Sequence, residues 1–155
     1  MKTPGAATKN LANRLIIVRH AHRDVSDRAE DNGLSSKGWR QAHEFAVWLK
    51  ASYPGIAPYI ATSPKLRCQE TVDPLKDLRL AQIEPGLDEQ HPQESHEQFV
   101  ERIRRTLAQL RIAGVATPPV IVCSHGDWIP VATEIGWAKT INLGKGQWIE
   151  LDWNN

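Results

Sequence analysis

Arg19-His20 closes one apolar run, Leu15-Ile16-Ile17-Val18, and Ser124-His125-Gly126 closes another, Val120-Ile121-Val122-Cys123. A buried strand that runs out into an imidazole places it at the carboxyl edge of a sheet, where open α/β sheets bind their ligands. Two such strands suggest one site with a histidine pair and an attached guanidinium. A third group, Arg67, follows the short run Tyr59-Ile60-Ala61 and falls in the first turns of a helix opened by Ser63-Pro64. A helix start attracts anions through its free N–H groups and its dipole. Two guanidinium forks around one point suit a phosphate, whose oxygens take paired charge-assisted bonds. A histidine in such a pocket can attack phosphorus. Nearby cations disfavour imidazolium, which keeps a ring lone pair available near neutral pH. The second histidine can donate to the equatorial oxygens as charge shifts during transfer. A leaving alkoxide needs a proton. Glu89, in Leu87-Asp88-Glu89, lies in a loop able to reach the edge and supply it. Asp127, two residues past His125, is a rival donor, although its commoner job would be capping the next helix.

The other histidines are read as ordinary. His22 is a rim residue, His43 lies on the surface of a helix, and His91 and His96 are solvated. No two histidines share a zinc-ligand spacing, so neither a metal nor a cofactor is expected. Lys37, Arg40 and Lys65 either widen a positive field or belong to solvated helix faces.

These groups need a framework of alternating strands and helices. Strands are predicted at about Arg14–Arg19, Tyr59–Ala61, Leu80–Ile83, Val120–Cys123 and Gln147–Trp153, with the polar segment Arg23–Gly33 as a surface loop. A helix capped by Ser35 or Ser36 carries Trp39, Ala42, Ala46 and Leu49 at helical spacing. Asp73-Pro74 caps a short second piece after the Arg67 helix. A helix opened by the capping box Ser95/Gln98 carries Phe99, Ile103, Leu107 and Leu110, and is closed by Gly114 and Pro118-Pro119. Another runs from about Asp127 to Ile135, with Pro130 in its first turn. The pattern predicts a three-layer α/β/α sandwich with a mostly parallel sheet and one antiparallel strand.

The 155 residues fit one core, read as a flexible tail over 1–13 and a single domain over 14–155. A formal net charge of +1 argues against a dedicated nucleic-acid binder. No apolar stretch approaches a membrane span, and the polar start does not read as a signal peptide. Cys68 and Cys123 follow no metal or redox spacing. Reduced, buried thiols in the cytoplasm are expected. The six tryptophans are scattered as packing residues.

The chain resembles the histidine phosphatase superfamily, the phosphoglycerate-mutase-like group. Its Arg-His-Gly hallmark stands here as Arg19-His20-Ala21. The segment Leu-(Ser/Thr)-x-x-Gly-x-x-Gln-Ala stands as Leu34-Ser35-Ser36-Lys37-Gly38-Trp39-Arg40-Gln41-Ala42. Ser-Pro-x-x-Arg-Ala-x-Gln-Thr stands as Ser63-Pro64-Lys65-Leu66-Arg67-Cys68-Gln69-Glu70-Thr71, and the second-histidine motif is Ser124-His125-Gly126. The resemblance implies a phosphoglycerate-mutase-like fold and a metal-free phosphohistidine mechanism. His20 is then the nucleophile, Arg19, Arg67 and His125 bind the phosphoryl group, and Glu89 is the acid. Ala21 replaces a glycine, and would be strained by roughly 1 kcal/mol if the position required positive φ. Arg23 and Ser26 stand where the family often has threonine and asparagine, as possible substrate contacts. The chain leaves little room for the insertions that close mutase sites, which favours a phosphatase acting on a phosphorylated small molecule or a phosphohistidine protein. The alternatives are a phosphate-binding regulatory module with little turnover, and mutase-type phosphotransfer.

Overall fold

The computed structural model describes residues 11–153. Strands β1 (Arg14–Arg19), β2 (Tyr59–Thr62), β3 (Gln82–Ile83), β4 (Val120–Ser124) and β5 (Trp148–Asp152) form one sheet in the order β3-β2-β4-β1-β5. The pairs β1–β4, β4–β2 and β2–β3 are parallel, and β5 runs antiparallel to β1. This is the expected sandwich. The strands are near-continuous apolar runs because both faces are covered, and alternate residues serve opposite cores. Leu15, Ile17, Ala61, Val120 and Val122 pack with Phe99, Ile103, Leu107, Leu110 and Ile129. Ile16, Val18, Ile60, Ile121 and Cys123 pack on the other face with Phe45, Leu49, Val72 and Leu75.

Helix α1 (Ser36–Ser52) is capped by Ser35, whose Oγ accepts from Gly38 N–H at 3.1 Å. Its inward stripe is Ala42, Phe45, Ala46 and Leu49, a strict i, i+3, i+4, i+7 set. Trp39, expected in that stripe, is 39% exposed. It sits in the first turn, and Phe45 takes the inward place, packed on Trp148 at 5.2 Å. Helix α3 (His96–Ala116) has both reciprocal bonds of its capping box, together worth about 1 kcal/mol. Gly114 does not end it. The helix runs on to Ala116, and Gly114 is where its backbone passes Val120 so closely that a Cβ would lie 2.6 Å from Cγ2. Helix α4 spans Trp128–Trp137. The expected strand Leu80–Ile83 pairs only at Gln82–Ile83, an exposed edge beside β2.

One further expectation changes. Helix α2 (Leu66–Val72) begins three residues after Ser63, with Lys65 at the cap position, so Ser63 is not its N-cap. Leu11–Asn13 form a 3-10 turn, with Asn13 C=O accepting from Trp153 N–H at 2.7 Å, and the rest of the expected tail lies outside the described residues. Among the described residues no helix is long and apolar enough to cross a membrane.

One consequence of this topology makes the site. β1 and β4 are neighbours in register, Arg19 opposite Ser124. The chain leaves β1 for α1 on one face and leaves β4 for α4 on the other. Neighbouring strands whose connections part in this way leave a crevice at their carboxyl ends.

Candidate active site

His20 and His125 each lie one residue beyond that register pair, and His20 N–H donates to Ser124 C=O at 3.0 Å. Their ring centroids are 5.4 Å apart and the planes are tilted by 58°. Both are buried. His20 Nδ1 lies 2.9 Å from the Ala21 carbonyl. A carbonyl only accepts, so Nδ1 carries the proton and Nε2 keeps its lone pair.

Ala21 departs from glycine without strain. Its φ is not positive; among the described non-glycine residues only Ala138 has that conformation. Its methyl packs in a small core with Leu34 and Ala42, and its N–H donates to Thr71 Oγ1 at 2.9 Å. Thr71 in turn donates to the Arg67 carbonyl at 2.7 Å, tying α2 to the turn after β1.

Arg19 lies flat against Gly126. A Cβ at Gly126 would sit 2.8 Å from Arg19 Cζ, which gives the glycine after His125 a steric reason. Arg19 Nη1 donates to the Leu143 carbonyl at 2.9 Å, and its Nε is buried without a hydrogen-bond partner. The neighbour that must yield at Gly126 is the end of a flexible side chain. Gly126→Ala is therefore expected to keep the melting temperature close to wild type while lowering kcat/KM about 10- to 100-fold by displacing Arg19. Paired thermal melts and steady-state kinetics check this.

Arg67 is 5% exposed. Its Nη2 donates to both Glu89 oxygens, at 3.0 and 3.1 Å, and its Nε is buried and unpaired. Glu89, 39% exposed at its side chain, thus meets the predicted arginine at the mouth. Asp127 is placed differently. It makes no cap bond to α4 and accepts from Gln90 N–H at 3.0 Å, pinning the loop that carries Glu89. Arg23 donates from Nη2 to the Arg28 and Glu30 carbonyls, with Nε buried and unpaired. Ser26 is turned onto Asp24 in the exposed loop and is not drawn into the site.

Three contributors were not foreseen. Ser63, read as a cap, lies 2.8 Å from His125 Nε2 and 3.5 Å from Asp88 Oδ1. Asp88 is buried, with His125 Nε2 at 3.6 Å, His91 Nε2 at 3.2 Å and Lys65 Nζ at 3.7 Å. A single hydroxyl proton on Ser63 links these groups. If Ser63 donates to His125, the ring proton lies on Nδ1, which is buried and unpaired. Lys145, in Gly144-Lys145-Gly146, is close enough to act on His20 electrostatically. A glycine-flanked lysine before the last strand was the one available signal for it. Asp88 and Glu89 are neighbouring carboxylates, and sequence does not show that Asp88 is the buried one. His22 is a clamp: its Nδ1 lies 2.6 Å from Ser35 Oγ and its N–H donates to Gln41.

Burial, reinforced by the charges of Arg67, Arg19 and Lys145, lowers the His20 pKa to about 4. Burial and then Arg67 lower His125 to about 2. Both rings are neutral at pH 7. The unfolded rings, near 6.5, bind more protons than the folded ones as pH drops, so this contribution to stability is complete above about pH 6.5. It is lost as pH falls from there, toward about 4 for His20 and toward about 2 for His125, where each folded ring protonates. For the free enzyme, the acid limb of kcat/KM set by His20 is accordingly expected near pH 4. A limb near 6.5 in a pH–rate profile would contradict this environment.

The sequence profile of the histidine phosphatase superfamily (branch 1) matches residues 15–92. No curated protein matches the chain by sequence. Among solved structures, the chain is similar to a mycobacterial glucosyl-3-phosphoglycerate phosphatase in complex with VO3, at 19% identity and TM-score 0.72, covering 90% of this chain and 91% of that one. A putative alpha-ribazole-5'-P phosphatase from Escherichia coli gives 18% identity and TM-score 0.75, covering 92% and 91%. The protein histidine phosphatase SixA, complexed with tungstate, gives 19% identity and TM-score 0.66, covering 85% and 83%. These likenesses speak for a shared fold, and the profile, which covers half of the chain, speaks for descent. The protein belongs to branch 1 of the histidine phosphatase superfamily and is an enzyme of that phosphatase type.

Proposed function

We propose that the protein hydrolyses a phosphomonoester or a phosphohistidine through a covalent phosphohistidine on His20 Nε2, with no metal ion. The observation that carries this reading is the fixed tautomer of His20. Nδ1 is committed to the Ala21 carbonyl, and the Nε2 lone pair is left beside two arginines whose Nε donors are unpaired. Arg19, Arg67 and His125 Nδ1 hold the phosphoryl oxygens, and the two guanidinium groups supply the charge that a metal would otherwise bring. Nε2 attacks in line. The N–P bond forms as the bond from phosphorus to the leaving atom, an ester oxygen or an imidazole nitrogen, breaks; that atom keeps the bonding electron pair and takes a proton from Glu89 in its acid form. Water then attacks phosphorus, gives its proton back to Glu89, and restores His20.

The bond between Glu89 and Arg67 favours substrates whose leaving group asks little of an acid, such as a phosphohistidine. SixA, among the similar structures, is by name a protein histidine phosphatase. The free, buried thiols of Cys68 and Cys123 suit a cytoplasmic setting. Leaving-group dependence is the test. In chelator, Glu89→Gln is expected to lower kcat about 100-fold for an alkyl phosphate and only a few-fold for an aryl phosphate or a phosphohistidine peptide. Equal losses on all three would remove Glu89 from the proton transfer.

A further inference from the structure

Glu89 stands in a stretch without regular structure, between the 3-10 turn Pro85–Leu87 and the start of α3 at His96. A proton donor works only where it is held, and such a stretch has no ladder of its own to hold it. Arg67 Nη2 meets the tip of the side chain. A second arginine holds its root. Arg102, on α3, donates from Nη1 to the Asp88 carbonyl at 2.9 Å and from Nη2 to the Glu89 carbonyl at 3.1 Å. These carbonyls belong to the two peptide groups that flank the Glu89 Cα. The N–H of the second group, that of Gln90, donates to Asp127 at 3.0 Å, so this peptide is gripped from both sides.

The rest of the guanidinium is committed to the same loop. Nη1 also donates to the Gly86 carbonyl at 3.0 Å, and Nε and Nη2 grip the two oxygens of Glu94 at 2.8 and 2.7 Å. All five N–H donors of Arg102 are thereby used. The side chains of Arg102 and Glu94 are 14% and 11% exposed. The guanidinium carbon lies 5.0 Å from the centre of the Phe99 ring, which belongs to the core face of α3. The pair with Glu94 alone would balance the charge. The three bonds to carbonyls fasten the loop to the core, and two of them act at Glu89. We propose that Arg102 is a positioning residue for the proton transfer, fixing where the Glu89 carboxyl stands beside the leaving atom. This rests on the reading of Glu89 as the acid. Arg102 touches no reacting atom and acts through Glu89.

Arg102→Lys keeps the charge and loses the fork, since one ammonium does not span the carbonyls and the carboxylate. In chelator, it is expected to lower kcat about tenfold for an alkyl phosphate, with KM changed less than about twofold. For an aryl phosphate or a phosphohistidine peptide the expected loss is only about twofold. In a Glu89→Gln background the same substitution is expected to add less than about a twofold loss, because the group it positions is gone. Amide exchange at Gln90 is expected to quicken about tenfold in Arg102→Lys while the amides of β1 and β4 stay protected. Equal kcat losses on the three substrates, an alkyl-phosphate loss that persists in the Glu89→Gln background, or unchanged exchange at Gln90 would overturn the assignment. Should the lysine variant not fold, Glu94→Gln loosens the guanidinium without removing it. A smaller loss confined to the alkyl phosphate then upholds the assignment, and a loss equal on all three substrates overturns it. Glu89→Gln alone reports on the underlying reading. Equal losses there on all three substrates remove the acid role and the positioning role with it. The expected split in Glu89→Gln, with no split in Arg102→Lys, removes Arg102 only.

Discussion

His20→Ala is expected to lower the turnover of every accepted phosphoester by at least about 1,000-fold, with the chain still folded. The ring is buried, and its one hydrogen bond, from Nδ1 to the Ala21 carbonyl, fixes a tautomer without holding two elements together. Loss of that bond costs about 1–3 kcal/mol, which a domain of ordinary stability survives. The phosphate grip is left in place, because Arg19 is positioned by Leu143 and Gly126, and Arg67 by Glu89. The variant should therefore bind inorganic phosphate or vanadate nearly as wild type does while failing to turn over. Added imidazole should restore part of the activity, since the missing group is a free lone pair in a pocket that still orients phosphorus. Turnover that survives the substitution would assign the attack to another group.

Arg67→Ala carries the second large effect, an expected loss of about 100- to 1,000-fold in kcat/KM with weaker competitive inhibition by phosphate. The side chain acts in three ways at once. It holds Glu89 through Nη2, presents an unpaired buried Nε, and depresses the pKa of both histidines. The acid limb of the pH–rate profile should consequently move up in the variant, the direction expected when a neighbouring cation is lost. Arg67→Lys should recover little. A lysine is a point charge, and one ammonium does not span the carboxylate and the pocket as the guanidinium fork does. A lysine variant with near wild-type kcat/KM would show that charge alone suffices.

Much of this arrangement was legible in the chain. β1 and β4 announce themselves as apolar runs buried on both faces, and each ends in the residues that matter. The stripe of Phe99, Ile103, Leu107 and Leu110 follows from helical period, and the Ser95/Gln98 box from local capping chemistry. Arg19, His20, Arg67, Glu89 and His125 come together because the connections of β1 and β4 diverge to opposite faces, a consequence of the strand order. What escaped reading was set by contacts distant in sequence. Ser63-Pro64 has the local form of a helix start, but the serine is engaged by His125, which comes from β4. Asp127 has the position of a cap, yet its carboxylate finds the Gln90 amide. Asp88 and Glu89 are alike in one dimension and are separated only by which of them is covered. The expected glycine stop at Gly114 proved to be a close helix-to-strand approach, and periodicity cannot distinguish the two.

The central claim is that the phosphoryl group passes through His20. Rapid quenching of the enzyme during turnover of a labelled aryl phosphate, followed by peptide mapping in alkali, tests it directly. The expected result is one phosphoryl group on the peptide containing His20, labile to acid and stable to base, formed and discharged at rates that support turnover and absent from His20→Ala. Turnover with no such species, or a phosphoryl group carried by His125 instead, would contradict it.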